Sequence, residues 1–258
     1  MGRSRKPLSV YADRGFKSHP FRHSPMTTDP DAPLRPDLAA AHAEAWASLS
    51  QPGNWWSAGA RRALAVTTAH VMWSADAPPP WVSASSVPGT LAPDALEHAP
   101  AAAHDAAARL ARHAATITRE TYGRIRDALG ALAYVELVGL VCTVAATTSL
   151  RRSLGLPPRD PDPAPRGSTG EPARTDPPAL AKATRNWVLV AAPADRTAAV
   201  VQALTAVPGA HRLLWRLAAA QYVPDDEMVD PRWTRGTLTR VEMELVATRV
   251  SQRRECHY

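Results

Sequence analysis

Residues 131–154 read ALAYVELVGLVCTVAATTSLRRSL and are apolar over most of their length. Gly155 and a Pro-Pro pair follow, so the pattern predicts one long helix over the whole stretch. Its length also fits a membrane span. Glu136 and a run of hydroxyl side chains interrupt it, however, and a carboxylate near the middle of a span costs about 2.5–3.5 kcal/mol. We therefore expect a buried core helix and no membrane.

Helical spacing of apolar residues predicts further helices on both sides of this one. They run from Asp37 to Leu49, Ser57 to Met72, Ala101 to His113, Thr118 to Leu129, Asp195 to Ala206 and Gly209 to Gln221, and a last one begins after Thr239. Thr239 and Glu242 form a capping box, in which each side chain satisfies a free backbone donor of the other residue. The best strand candidate, Trp187 to Val190, has only four residues. The predicted fold class is all-α.

Proline divides the chain into parts. Eight prolines, interleaved with Arg, Asp and Gly, lie between residues 157 and 179, a composition typical of an extended segment. We predict a basic leader over residues 1–36, a first helical half over 37–156, a Pro-rich linker over 157–186 and a second helical half over 187–258.

The net charge of +6 is concentrated in the first 25 residues, where six basic residues stand against one acidic residue. A surface that binds phosphates needs its positive charge on the folded part of the protein, so we expect no nucleic-acid binding by the body of the chain. Met26 begins a stretch that resembles the usual N-terminus of a protein. Residues 1–25 are thus interpreted as a disordered tail or an over-extended start, with an Arg-rich targeting segment as the alternative. No apolar segment follows them, which argues against a secretory signal.

Two cysteines, Cys142 and Cys256, are too few for a disulfide framework, which favours a reducing compartment and a cytoplasmic location. Cys142 stands among aliphatic residues of the long helix and is expected to pack as a small hydrophobe. His104 and His113 are nine residues apart, a spacing that does not favour a shared metal. The sequence contains no Gly-rich phosphate loop and no nucleophile elbow. We expect no metal and no organic cofactor.

The end of the chain carries the candidate catalytic residues. Residues 238–247 read LTRVEMELVA, and residues 251–258 read SQRRECHY. This segment resembles the alkylhydroperoxidase D / carboxymuconolactone decarboxylase-like superfamily, in which a helix of similar pattern leads into a Cys-x-x-Cys with a His four residues later. The family has a Glu twelve residues before its first Cys, and Glu244 stands twelve before Cys256. The family's second Cys would fall one position beyond Tyr258, so the motif is expected to be truncated here.

The rest of the chain resembles the peroxidase-related, actinobacterial branch of the same superfamily. The supporting segments are AWASL at 45–49, PGNWW at 52–56, TY at 121–122, YVELV at 134–138, LGLP at 154–157, VP at 207–208 and residues 213–222. The resemblance implies a helical fold of two related halves. In the first half the family's redox motif would follow the second helix, where residues 70–76 contain no Cys. That half is expected to be catalytically silent.

The resemblance also implies a chemistry. The Cys256 thiolate would attack a peroxide oxygen and become a sulfenic acid, which a second thiol resolves as a disulfide. Glu244 would relay protons. The implied substrate is a small hydroperoxide, the reductant a dithiol partner, and the assembly a homo-oligomer. With a single Cys in the motif, an external thiol would have to resolve Cys256.

Other interpretations stay open. Cys256 can be a terminal remnant, Glu244 an ordinary solvated acid, and His257 a variable residue inside the Cys motif rather than the relay base. The chain would then be a non-catalytic, degenerate member that acts as an oligomeric or ligand-binding helical protein. A third hypothesis, proton transfer of the carboxymuconolactone decarboxylase type, needs no Cys pair but gains no distinctive residue here.

Overall fold

The computed structural model describes residues 34–74, 95–163, 170–174, 179–182, 187–191 and 199–253. The helices are α1 (Pro36–Ser48), α2 (Ala58–Trp73), α3 (Ala95–His98), α4 (Ala101–His113), α5 (Arg119–Leu129), α6 (Ala131–Ser153), α7 (Ala199–Gln202), α8 (Pro208–Gln221) and α9 (Arg240–Arg253). Strands β1 (Leu180–Lys182) and β2 (Leu189–Ala191) form an antiparallel pair. Helix is the dominant structure of the described residues, which confirms the all-α class. The predicted leader up to residue 33 lies outside them.

The long apolar helix α6 is the centre of the core. It packs against α1, α2, α4, α5 and α8, and Val135, Leu137 and Val144 have no exposed surface. Among the described helices, α6 alone is long and apolar enough to cross a membrane, but 67% of its most apolar window is buried inside the protein. Burial against five other helices explains why its sequence is apolar nearly all round.

Two buried hydroxyl side chains of α6 find their acceptors within the helix itself. Thr143 donates to the carbonyl oxygen of Gly139 at 2.9 Å, and Thr147 donates to the carbonyl oxygen of Thr143 at 2.9 Å. A buried hydroxyl with such a bond avoids most of the desolvation cost that an unpaired one has. The run of threonines thus agrees with a core helix.

Local signals set several helix ends as predicted. Thr118 caps α5, since its hydroxyl accepts a hydrogen bond from the backbone N–H of Thr121 at 3.2 Å. Gly130 ends the same helix with a φ of 89°, a conformation that favours glycine. The capping box of α9 is also present. The N–H of Thr239 donates to Glu242 Oε2 at 2.8 Å, and the N–H of Glu242 donates to Thr239 Oγ1 at 3.3 Å.

The helix predicted from Asp195 to Ala206 is wrong at its end, because α7 stops at Gln202. Leu204, which is buried, adopts a φ of 65°, and no helix can continue through that conformation. Thr205 then uses its hydroxyl twice, donating to the Gln202 carbonyl at 2.6 Å and accepting from the N–H of Ala191 at 3.0 Å. The turn is therefore tied to β2.

The described part of the Pro-rich segment lies against the helices. The indole of Trp46 donates to the carbonyl oxygen of Asp160 at 3.3 Å, and Arg62 Nε donates to that of Pro161 at 3.2 Å. Further along, the N–H of Ala58 donates to the Gly170 carbonyl at 2.7 Å. The segment has no helix or strand over 157–163 and 170–174, whereas β1 lies inside the predicted bounds of the linker, 157–186. All described residues belong to one compact unit that begins at Pro33.

Candidate functional site

Cys256, the predicted attacking thiol, lies outside the described residues, as does His257. The described part of α9 ends at Arg253, three residues before it. The geometry of the predicted site is therefore that of Glu244 and the groups around it.

Glu244 lies in α9 with 45% of its side chain exposed. Its Oε1 accepts two hydrogen bonds, one from the Tyr222 hydroxyl at 2.5 Å and one from Arg240 Nε at 2.7 Å. Both donors stabilise the charged form, so the pKa of Glu244 is lowered, with the hydrogen bond from Tyr222 as the largest cause. At neutral pH Glu244 is an ionised carboxylate in a fixed position.

The two donors are themselves held in place. Arg240 Nη2 donates to the backbone carbonyl of Met228 at 3.1 Å. Arg235 Nε donates to the carbonyl of Tyr222 at 2.8 Å, directly after α8 ends. Burial and the neighbouring Glu244 raise the pKa of Tyr222, so its hydroxyl keeps its proton and remains a donor. The cluster joins the end of α8 to the start of α9.

Helix geometry limits what Glu244 can reach. Arg253, at the end of α9, is nine positions after Glu244, which at 1.5 Å per residue is about 14 Å. A direct contact between Glu244 and Cys256 therefore requires the chain to turn back after Arg253, and otherwise water must carry the proton.

A second cluster, buried in the core, was not predicted from the sequence. Glu136 on α6 is 1% exposed, and its Oε1 accepts a hydrogen bond from Arg61 Nη1 of α2 at 2.6 Å. Its Oε2 accepts from the backbone N–H of Trp55 at 2.7 Å. The turn before Trp55 approaches so closely that a Cβ added to Gly53 would lie 1.6 Å from Glu136 Oε1. Glycine is thus required at this contact.

The sequence draws attention to one residue of this cluster, Glu136, but not to its partner Arg61. Glu136 is conspicuous as an acid within an apolar helix, and this argues against a membrane span but does not indicate its partner. Arg61 is 75 positions away, so no local spacing relates the two. Both carboxylate oxygens of Glu136 already accept hydrogen bonds, so we interpret the pair as a structural ion pair.

Cys142 is half-buried on α6 and is the one cysteine among the described residues. Burial raises the pKa of its thiol, so the thiolate that would react with a peroxide is disfavoured at neutral pH. This agrees with the expected packing role. His104 is fully buried, and its Nδ1 lies 2.7 Å from the Thr67 hydroxyl. Within the described ranges no cluster of His, Cys, Asp and Glu could hold a metal ion.

Comparison with protein-family models, with curated proteins and with solved structures gave no match. The class that the fold defines is accordingly a mostly helical protein, built around one central apolar helix, with a fixed surface carboxylate at Glu244 and a buried ion pair between Arg61 and Glu136.

Proposed function

We propose that this protein is a thiol-dependent oxidoreductase that reduces small hydroperoxides at Cys256. The observation that supports this most is that the Glu244 side chain is an ionised carboxylate held by hydrogen bonds. It lies on the helix that leads toward Cys256, and two hydrogen-bond donors hold its carboxylate ionised. An ionised carboxylate can accept the proton of a thiol, directly or through water, as the sulfur attacks. The sequence resemblance assigns the same role to this position.

The reaction balances with one external reductant. The Cys256 thiolate attacks the terminal oxygen of the hydroperoxide, the O–O bond breaks, and the alkoxide leaves and takes up a proton as an alcohol. The sulfur, oxidised to a sulfenic acid, is attacked by a dithiol, which releases water and forms a mixed disulfide. The second thiol of the reductant then closes its own disulfide and restores Cys256. No metal or organic cofactor enters these steps.

The test is turnover of cumene hydroperoxide by the full chain, with dithiothreitol as the dithiol. We expect consumption only when dithiothreitol is present, with loss of turnover in Cys256→Ser. Glu244→Gln should slow the reaction by about 100-fold, the usual contribution of a positioned acid or base.

Cys142→Ser is the matched control, since it removes the other thiol and should keep full turnover. Equal trace activity in the wild-type chain, Cys256→Ser and Cys142→Ser would remove the proposal.

A second candidate, a non-catalytic protein that assembles through α9, is favoured by a different observation. Four apolar residues of α9 are between 56% and 77% exposed, whereas Met243 on the same helix is 7% exposed. The exposed ones are Val241, Leu245, Val246 and Val250. Met243 thus anchors the helix, while these four apolar residues are exposed. Such a surface is typical of an interface.

The occupant that fits this surface is a second copy of the chain. Glu242 stands three residues before Leu245, and Arg249 stands three residues after Val246. When two α9 helices pack antiparallel about their centres, Glu242 of each copy lies opposite Arg249 of the other. Opposite charges then meet on both sides of an apolar centre, as a two-fold symmetric interface requires.

Sedimentation equilibrium of the full chain tests this candidate. We expect a dimer or larger assembly that Leu245→Glu dissociates, while Val229→Glu, at a residue 89% exposed outside α9, leaves it intact. A wild-type chain that stays monomeric up to its highest soluble concentration would contradict it. An intact oligomer without peroxide turnover would favour this candidate over the first.

A further inference from the structure

An apolar pocket of about 410 Å³ lies between α4, α6, the segment that contains β2, and the turn that follows α7. Leucine, valine and alanine side chains form most of its wall, and Tyr134 and Trp187 form the rest. Of the described residues that line it, none is charged and none belongs to α9. The pocket therefore suits an uncharged ligand, because a charged group would lose its hydration here without gaining a counter-charge.

The wall of this pocket is part of the packed core. Val135, Val190 and Leu204 line it, and all three are buried. The turn that carries Leu204 is tied to β2 by the hydrogen bond from the Ala191 N–H to the Thr205 hydroxyl at 3.0 Å. The pocket is thus already formed without a ligand, so binding does not have to order its wall.

Trp187 gives the pocket an aromatic side. Its ring centroid is 6.3 Å from that of Tyr122 on α5, and the guanidinium carbon of Arg119 lies 5.9 Å from the indole centroid. These two contacts hold the indole in place. An aromatic ligand can therefore pack against a ring that is already positioned.

Tyr134 brings a hydroxyl to the same wall. Tyr134 is only 5% exposed, and its hydroxyl has no hydrogen-bond partner among the described residues. The hydroxyl is not sealed from its surroundings, as Arg61 Nε is, so the small open part of Tyr134 includes it. Burial raises the pKa of Tyr134 to about 12, and the hydroxyl keeps its proton at neutral pH. An acceptor on a ligand in the pocket would give this donor a partner.

We propose that this pocket binds a small, uncharged aromatic molecule that carries one hydrogen-bond acceptor. The aromatic body packs against Trp187 and the aliphatic wall, and the acceptor receives the hydrogen bond of the Tyr134 hydroxyl. The volume of about 410 Å³ restricts the ligand to a small molecule. The hydroperoxide chemistry proposed for Cys256 uses none of these residues.

The experiment is a titration of the full chain, ¹³C-labelled at the methyl groups of valine and leucine, with acetophenone and separately with ethylbenzene. The two probes have a similar shape, but only acetophenone carries an acceptor. We expect acetophenone to bind saturably and to shift the methyl signals of Val138 and Leu204, which line the pocket.

Tyr134→Phe tests the hydrogen bond, because it removes the hydroxyl and keeps the ring. It should weaken acetophenone binding by about fivefold, the usual contribution of one such bond, and leave ethylbenzene binding unchanged. Ethylbenzene thus also shows whether the variant keeps the pocket intact.

Ala203→Trp locates the site, since Ala203 lines the pocket and is exposed. The indole should cover the mouth and weaken binding of both probes by at least about tenfold. Ala47→Trp, at an exposed alanine of α1 that does not line the pocket, should leave binding unchanged.

The proposal is overturned if acetophenone does not bind saturably, if Ala203→Trp has no effect, or if Tyr134→Phe changes the binding of both probes equally or of neither. The readout is binding alone, so these results do not bear on turnover at Cys256, and the two proposals fail separately.

Discussion

Arg61 and Glu136 form an ion pair of 2.6 Å in the interior of the protein, although 75 positions separate them in the sequence. The pair ties α2 to α6 at a point where both side chains are almost fully buried. Because a buried charge without a partner is strongly unfavourable, the pair fixes how these two helices meet.

Glu136→Gln should destabilise the protein by about 3–5 kcal/mol, since it leaves the Arg61 charge buried without a counter-charge. Urea unfolding followed by circular dichroism measures this. Glu120→Gln is the matched control, because Glu120 forms an exposed pair with Arg124 at 2.8 Å. Exposed pairs contribute about 0–1 kcal/mol. A loss at Glu136 no larger than at Glu120 would contradict the role given to the pair.

Gly53→Ala should destabilise the protein by about 1–3 kcal/mol or more, because its Cβ would lie 1.6 Å from Glu136 Oε1. Gly123→Ala serves as the control. Gly123 lies inside α5 with nothing within 4 Å of a Cβ, so alanine there should stabilise the helix by about 0.5–1 kcal/mol. Thermal unfolding of the two variants should give shifts of opposite sign, and a shift of the same sign in both would be the contrary result.

Acid should loosen α9 before it unfolds the core. The pKa of Glu244 in the folded state lies below its usual value of 4.5. Its bonds to Tyr222 and Arg240 therefore add stability above pH 4.5 and lose it as the pH falls through the folded pKa. Amide hydrogen exchange should become faster in α9 than in α6 over that range.

Tyr222→Phe isolates the cause of this shift. Removal of the hydroxyl deletes the largest stabilising contact of the charged carboxylate, so the pKa of Glu244 should rise toward 4.5. A ¹³C titration of the Glu244 carboxyl carbon measures it. An unchanged pKa in Tyr222→Phe would show that Arg240 alone holds the charge.

The thiol of Cys142 should be unreactive in the folded protein. Burial raises its pKa, so iodoacetamide at pH 7 should modify it slowly in buffer and rapidly in urea. Peptide mapping by mass spectrometry follows this residue separately from Cys256. Equal rates in buffer and in urea would contradict a packed Cys142.

Local chemistry in the sequence predicted much of the fold. Thr118 and Gly130 bound α5, and Thr239 with Glu242 starts α9, because each signal acts within a few residues of itself. The end of α7 was missed, since the left-handed conformation of the buried Leu204 and the bond from Ala191 to Thr205 depend on β2.

The candidate sites depend on contacts that are distant in the sequence. The position of Glu244 followed from a family resemblance, but its donor Tyr222 is 22 positions away and no pattern relates the two. The same holds for Arg61 with Glu136. The spacing of residues along the sequence predicts individual helices, whereas these groups come into contact only when several helices pack together.

The most direct test of the central claim is sulfenic acid formation at Cys256. The full chain is treated with cumene hydroperoxide in the presence of dimedone, which traps sulfenic acids, and both cysteine-containing peptides are quantified by mass spectrometry. We predict a dimedone adduct on Cys256 and none on Cys142, with a lower yield in Glu244→Gln. The absence of an adduct on Cys256 in the folded protein, or an equal yield on Cys142, would contradict the claim that Cys256 is the thiol that attacks the peroxide.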